Sequence, residues 1–208
     1  MPTMMNFFIS LAILEASVFL NVLALTIPHW ADEEAYGKYQ DAWKLLNQKE
    51  GTKYFLLQST FRDKPHFWGH NFKCVTVRHT HHKPKEKAAL SIFQYRGVRN
   101  LTFTVSKGVK AVTQYGYKTP NALEYNLTGT RILIELVMFT NGGTCNLLSV
   151  PYQGTKLGCE LWVIENSIDK VPACCLFMFR LLCPKNNLYN VYDNTCKNVL
   201  NRPKAPRK

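Results

Sequence analysis

Beyond its first two dozen residues the chain has no apolar run long enough to cross a bilayer. It also lacks a glycine-rich phosphate loop, a nucleophile elbow and the HExxH pattern, so neither an enzyme nor a cofactor is expected. Acids are scarce: 14 Asp and Glu stand against 26 Lys and Arg, a formal charge of +12. Such a balance is compatible with nucleic acid, acidic surfaces or anionic ligands as partners. The bases are dispersed, however, apart from HTHHKPKEK (His79 to Lys87) and the tail NRPKAPRK at 201–208, both read as solvated segments. Neither nucleic acid nor a membrane is therefore expected to bind the mature chain. His79, His81 and His82 have no nearby acid other than Glu86, and no metal site is expected of them. No spacing among the seven cysteines matches a paired zinc knuckle, which leaves disulfides as their default use.

What is present begins with an apolar leader, MPTMMNFFISLAILEASVFLNVLA, interrupted by Glu15 and Asn21 and preceded by no Lys or Arg. It reads as an atypical secretory signal over 1–24, with Val22 and Ala24 as the small residues before a cut near Ala24. The remainder, 46% apolar and 12% aromatic over the whole chain, suits one folded domain, here 25–200, followed by the basic tail. The triplets at Asn100 and Asn126 are N-glycosylation acceptors, in keeping with a secretory route.

ADEEAYGKYQDAWKLLNQ, Ala31 to Gln48, places Tyr39, Ala42, Trp43 and Leu46 at helical spacing and predicts a short amphipathic helix. Short runs rich in β-branched and aromatic residues follow, from YFLLQSTF to CELWVIE. Turn signals such as Lys107-Gly108 and Asn141-Gly142-Gly143 separate them. Eight or nine strands at near-regular spacing point to a closed antiparallel barrel or a sandwich. A second helix is expected near Val171 to Leu182, with Pro172 in its first turn and Asp169 as its cap.

Strand side chains alternate between faces. A cysteine that reaches a helix lying outside a barrel must point outward, so if Cys159 bonds a helix cysteine such as Cys183, Glu160 and Trp162 point into the lumen. The same argument turns Asn146 inward at Cys145, and Val75 and Val77 inward at Cys74, with Thr76 and Arg78 outside. Glu135 shares a face with Leu133, Val137 and Phe139, and Tyr125 joins them as a candidate. A buried carboxylate loses hydration worth several kcal/mol and must find a cation, hydrogen bonds or a proton. Two solutions stand open: a ligand cation held by the carboxylate and aromatic faces, or an internal Lys, Arg or Tyr that only specifies the fold. On the residues alone the two stand equal, and only a family likeness tips the expectation to the first, with the acids short of a protein counter-ion.

The chain resembles the tick salivary lipocalins of the histamine-binding type. The likeness runs from HWADEEAYGKYQDAW through FWGHNFKC and KAVTQYGY to VPYQG, GCELW and VPACCLFMF. Its most specific part is a Cys-Asp-aliphatic, Glu-Leu-Trp, Cys pattern, which here reads Cys145-Asn146-Leu147, Glu160-Leu161-Trp162, Cys174, with Asn in place of Asp. The resemblance implies an all-β fold, an eight-stranded antiparallel barrel with short N-terminal and C-terminal helices outside. It also implies disulfides Cys74–Cys196 and Cys145–Cys175, leaving Cys159 and Cys183 as a third bridge and Cys174 odd.

By the same resemblance, Glu160, Trp162, Trp68 and Tyr125 match pocket positions and Glu135 replaces an Asp. Asn146 has lost its acid, Phe61 stands for a Tyr, and Lys64 sits before Pro65 where relatives can carry an Asp. The implied function is that of a secreted salivary protein, expected to be a monomer, that captures a small host mediator and so mitigates host defence. A biogenic amine such as histamine or serotonin is the first expectation. An anionic lipid such as a leukotriene or fatty acid, anchored on Lys64 with Phe61, Phe139 and Leu133 along its chain, is the second. Inhibition of a host complement or clotting protein through surface loops is the third.

Overall fold

The alternating apolar runs close on themselves. In the computed structural model, which describes residues 27–64, 67–97, 101–127, 131–153, 156–184 and 187–199, the eight barrel strands are β1 (Lys53–Ser59), β4 (Lys73–Lys83), β5 (Ala88–Arg96), β6 (Thr102–Val112), β7 (Ala122–Asn126), β8 (Ile132–Thr140), β9 (Cys145–Gln153) and β10 (Lys156–Ile164). Each pairs antiparallel with the next, and β1 returns to β10, so the sheet has no free edge along the barrel wall. A two-residue hairpin, β2 (Asp63–Lys64) with β3 (Gly69–His70), forms a separate sheet, and β11 (Tyr189–Asn190) adds to the end of β1. The leader, Asn100 and the tail from 200 onward lie outside the described residues. Residues 27–31 belong to a separate unit and contain a turn in which the Ala31 N–H donates to the Pro28 carbonyl. Asn126, the other glycosylation candidate, is the exposed last residue of β7.

Several expected boundaries move. Lys107-Gly108 is no turn: both residues continue β6, which joins two expected strands into one and brings the barrel to eight. The single helix expected over Ala31 to Gln48 is broken into α1 (Glu33–Tyr36), a 3-10 turn at Gly37–Tyr39, and α2 (Ala42–Leu46). The break falls where Gln40 turns inward, its side chain donating to the Met138 carbonyl and accepting from the Tyr117 hydroxyl. Asp41 then starts a new helix by capping the N–H groups of Trp43 and Lys44. Tyr39 consequently lies exposed, while Ala42, Leu45 and Leu46 are buried. The C-terminal helix, α3 (Ala173–Leu182), starts after Pro172 without a side-chain cap, because Asp169 instead accepts from Lys197, just inside α4 (Cys196–Val199).

Three disulfides tie the barrel to what lies outside it: Cys74–Cys196, Cys145–Cys175 and Cys159–Cys183, with Cα separations of 5.1, 6.2 and 5.9 Å. Each contributes about 2–4 kcal/mol by restricting the unfolded chain. Cys174, exposed beside Cys175, is a free thiol. The outward cysteines fix the inward residues as alternation requires: Val75, Val77, Asn146, Glu160 and Trp162 are all buried, and Arg78 is exposed. Thr76 faces out but is also buried. His79 to Lys83 is strand rather than solvated loop, and His79, next in the inward series after Val77, is buried.

Alternation fails once where it mattered. A register shift between Val137 and Phe139 in β8 pairs Val137 with Leu148 but Phe139 with Leu147. Val137 and Leu148 join the interior cluster, whereas Phe139 packs on Tyr39 at 5.9 Å and lies outside that cluster. Phe139 is thus not a wall of the lumen.

Gly158 marks the closest approach between the barrel and the chain leading into the hairpin. A Cβ there would run into the Phe61 ring and lie 2.9 Å from Thr60 Oγ1. Gly158→Ala is expected to cost about 1–3 kcal/mol through overpacking, read as a Tm several degrees lower. Adding Phe61→Ala, which removes the obstructing ring and leaves the Thr60 Oγ1 contact, should reduce the penalty specific to Gly158.

Candidate functional site

The Glu-Leu-Trp signature acquires a physical meaning on β10. Residues two apart on a strand share a face, so the Trp162 indole reaches back to the carboxylate and donates from Nε1 to Glu160 Oε2 at 3.0 Å. The other oxygen, Oε1, accepts from Lys64 Nζ at 2.8 Å, and the same ammonium donates to Glu135 Oε1 at 2.7 Å. Glu135 comes from β8, Glu160 from β10 and Lys64 from β2. All three are buried: Lys64 is 3% exposed, Glu135 2% and Glu160 0%.

The expectation that the interior acids lack a protein counter-ion is therefore overturned. Lys64 supplies it, which is the internal-lysine alternative left open above. It also removes Lys64 as an anchor for a lipid carboxylate, since its ammonium is already committed to two acids and any anion placed there would meet both.

The hairpin folds aromatic rings over that ammonium. The Lys64 carbonyl accepts from the N–H groups of both Phe67 and Trp68, at 3.0 and 3.2 Å, which turns the chain back on itself. As a result Nζ lies 4.7 Å from the Phe67 ring centre and 4.4 Å from that of Trp68. Two carboxylates and two aromatic faces thus surround one primary ammonium, a cage of the kind used to hold amines. Trp68 continues the aromatic layer to Trp162 at 6.1 Å and Phe93 at 5.2 Å.

Beside this cage is a small cavity, about 20 Å3, enough for about one water molecule. Tyr54, His79, Tyr125, Glu135, Asn146 and Trp162 supply its polar and aromatic lining. Burial pushes the Glu135 carboxyl up to about 7, opposed by the Lys64 charge and reinforced by that of Glu160. Burial alone would lower the Lys64 pKa, but the two carboxylates more than offset it and leave it raised. Burial, together with the charges of Glu135 and Glu160, raises the Tyr125 phenol well above its usual range. His79 is lowered to about 4 by burial and by the neighbouring His82, and its neutral ring hydrogen-bonds through Nδ1 with Ser91 Oγ at 3.0 Å. The cavity edge near neutral pH is thus a neutral imidazole, a neutral phenol and an acid near its titration midpoint.

Of the residues read from the sequence, Glu135, Glu160, Lys64, Trp68 and Trp162 meet at one point, and Tyr125 and Asn146 stand beside them on the cavity. Asn146 accepts from Thr140 Oγ1 at 2.7 Å and so serves the interior as a polar partner without charge. Phe61 belongs to the same buried apolar cluster but is not at that point. It packs on Phe72 at 6.2 Å and lines an outer cleft with Arg62, Asn71, Phe72 and Tyr189. His79, Ser91 and Tyr54 were missed as site residues. The signal for His79 was present, because it continues the inward series Val75, Val77.

Comparison with known proteins gives a consistent picture. The family model described as tick histamine binding protein matches residues 30–198. A male-specific histamine-binding salivary protein of Rhipicephalus appendiculatus is 34% identical over 182 residues, 82% of this chain and 88% of that one. Female-specific histamine-binding protein 1 of the same tick is 29% identical over 171 residues, 81% and 88% of the two chains. Among solved structures, H1 crustacyanin from the lobster Homarus americanus overlays with a TM-score of 0.55 at 10% identity, covering 83% of this chain and 96% of its own. That likeness carries the lipocalin barrel alone. With most of its length matched by the family model and by relatives of nearly full coverage, the chain belongs to the tick histamine-binding protein family.

Proposed function

We propose that the protein is a secreted salivary scavenger that sequesters a biogenic amine, histamine or serotonin, by holding its ammonium between Glu135 and Glu160. The observation that carries this reading is the Lys64 ammonium itself. A primary amine at this point receives two charge-assisted hydrogen bonds of 2.7 and 2.8 Å and faces two aromatic rings. The chemistry that retains the lysine is the chemistry that an aliphatic amine requires. Both relatives are named as histamine-binding, which supports the ligand class, and the male-specific one is named as salivary, which supports the secretory route. Stoichiometric capture, without turnover, fits a lumen closed off from solvent.

An anionic lipid fits less well. The interior base is neutralised, the acids outnumber it two to one, and Phe139 lies outside the interior cluster. A fatty carboxylate would be placed against like charge in a medium of low polarity, where repulsion is strongest.

Titration calorimetry tests the reading with matched pairs of ligands. Serotonin and histamine are expected to bind, while 5-hydroxyindole and imidazole, which keep the ring and lack the ammonium, should bind about 10- to 100-fold more weakly. That loss corresponds to a charged hydrogen-bonding group worth about 1.5–3 kcal/mol. Equal heats from amines and their neutral fragments, or binding of a fatty acid in preference to both amines, would remove the basis for amine capture.

A further inference from the structure

An amine that binds at Glu135 and Glu160 meets an obstacle of charge and an obstacle of volume. Lys64 Nζ already holds one oxygen of each acid, and the Trp162 indole holds the second oxygen of Glu160. The adjoining cavity of about 20 Å3 is several times too small for an aromatic amine. The hairpin supplies the charge obstacle through Lys64, and although none of its residues lines that cavity, its rings fill the interior next to it: Phe67 packs on Tyr125 at 5.2 Å and Trp68 on Trp162 at 6.1 Å, both of which line the cavity.

We propose that Lys64 is a competitor built into the chain: an incoming amine displaces its ammonium from Glu135 and Glu160, and the rings of Phe67 and Trp68 withdraw with it to make room for the ligand. This rests on the amine reading above and adds the residue that limits affinity. Three features of the fold favour exchange over simple addition. Among the described residues the hairpin is a sheet of its own, pairing Asp63 with His70 and Lys64 with Gly69, so its movement breaks no bond of the barrel ladder. The closed arrangement is also imperfect. Trp68 is 2% exposed, yet its Nε1–H has no acceptor among the described residues, so departure of the ring relieves an unpaired buried donor. Finally, exchange replaces one monovalent ammonium by another and keeps the charge of the interior constant. Addition beside Lys64 would need space that the lumen does not have.

The thermodynamic consequence is a tax on affinity. When the binding-competent form is a fraction of the population, the apparent dissociation constant rises by the reciprocal of that fraction. Lys64→Met keeps the apolar stem and deletes the competing charge. It is expected to bind serotonin and histamine about tenfold or more tighter than the parent chain.

Proton release supplies a second signature. The titratable groups around the site are Tyr54 on β1, Lys64 on β2, His79 on β4, Tyr125 on β7, Glu135 on β8 and Glu160 on β10. One-for-one exchange leaves the protonation of Glu135 nearly unchanged, so serotonin affinity in the parent chain should be almost flat between about pH 6 and 8. In Lys64→Met the ligand brings the first cation to both acids and expels a proton, so its affinity should rise with pH, by at most about tenfold per unit.

The parent protein provides a readout that does not depend on how the variant folds. With isotope-labelled lysine, the buried Lys64 ammonium is expected to give a slowly exchanging N–H resonance, and saturating serotonin should abolish it. If serotonin binds while that resonance persists, or if Lys64→Met binds no tighter than the parent, the exchange idea fails and amine capture stands. If neither protein binds serotonin or histamine, amine capture fails and exchange falls with it.

Discussion

The structure turns on one buried cation shared by two buried anions. Removing ions from water costs several kcal/mol each even after relaxation, and mutual attraction repays that only when geometry is good and remaining lone pairs are met. Here Lys64 lies within 2.8 Å of an oxygen on each acid, and the second oxygen of Glu160 is met by the Trp162 indole. The imbalance of two acids to one base falls on Glu135, the acid that borders the cavity and whose carboxyl burial pushes up to about 7. The proposed amine would meet the surroundings that the Lys64 ammonium already has, whereas an anion would meet two carboxylates.

The barrel frames this triad by construction from outside. Cys145 on β9 and Cys159 on β10 are bridged to Cys175 and Cys183, which begin and follow the α3 helix. Two adjacent strands are thereby pinned with their cysteines outward, and the two-residue period sends Asn146, Glu160 and Trp162 inward. The pairing register then sets Trp162 opposite Asn146 and Glu160 opposite Leu148. A slip of one residue would exchange every one of these for its neighbour, so the bridges are also register locks for the site.

Much of this was legible because it depends on periodicity and covalent reach. The inward placement of Glu160, Trp162, Asn146, Val75 and Val77 follows from alternation next to a cysteine, and each is buried. The same rule misplaced Phe139, because a one-residue shift in register leaves no mark in composition. Composition groups His79 with its basic neighbours as solvated, although it continues a buried face. The helix break at Gly37 to Asp41 was hidden because the tertiary bonds of Gln40 override a good helical pattern. Lys64 was the hardest residue to place. It sits in a strand of two residues, too short for any period to give a direction, and its partners lie 71 and 96 positions away. Two clues remain: the family likeness sets Lys64 at a pocket position without giving its partners, and two interior acids demand a cation from somewhere.

Where that cation is mounted matters as much as its charge. Had it sat on one of the eight barrel strands, withdrawing it would mean opening ladder bonds on both sides, and the triad would be a fixed part of the core. On a hairpin paired only with itself, the same lysine is held by its side chain more than by its backbone. The attraction that retains it is electrostatic and aromatic, and any other ammonium can supply the same attraction. A strong interior interaction is thus placed on an element outside the barrel ladder, and the proposed exchange would leave that ladder intact.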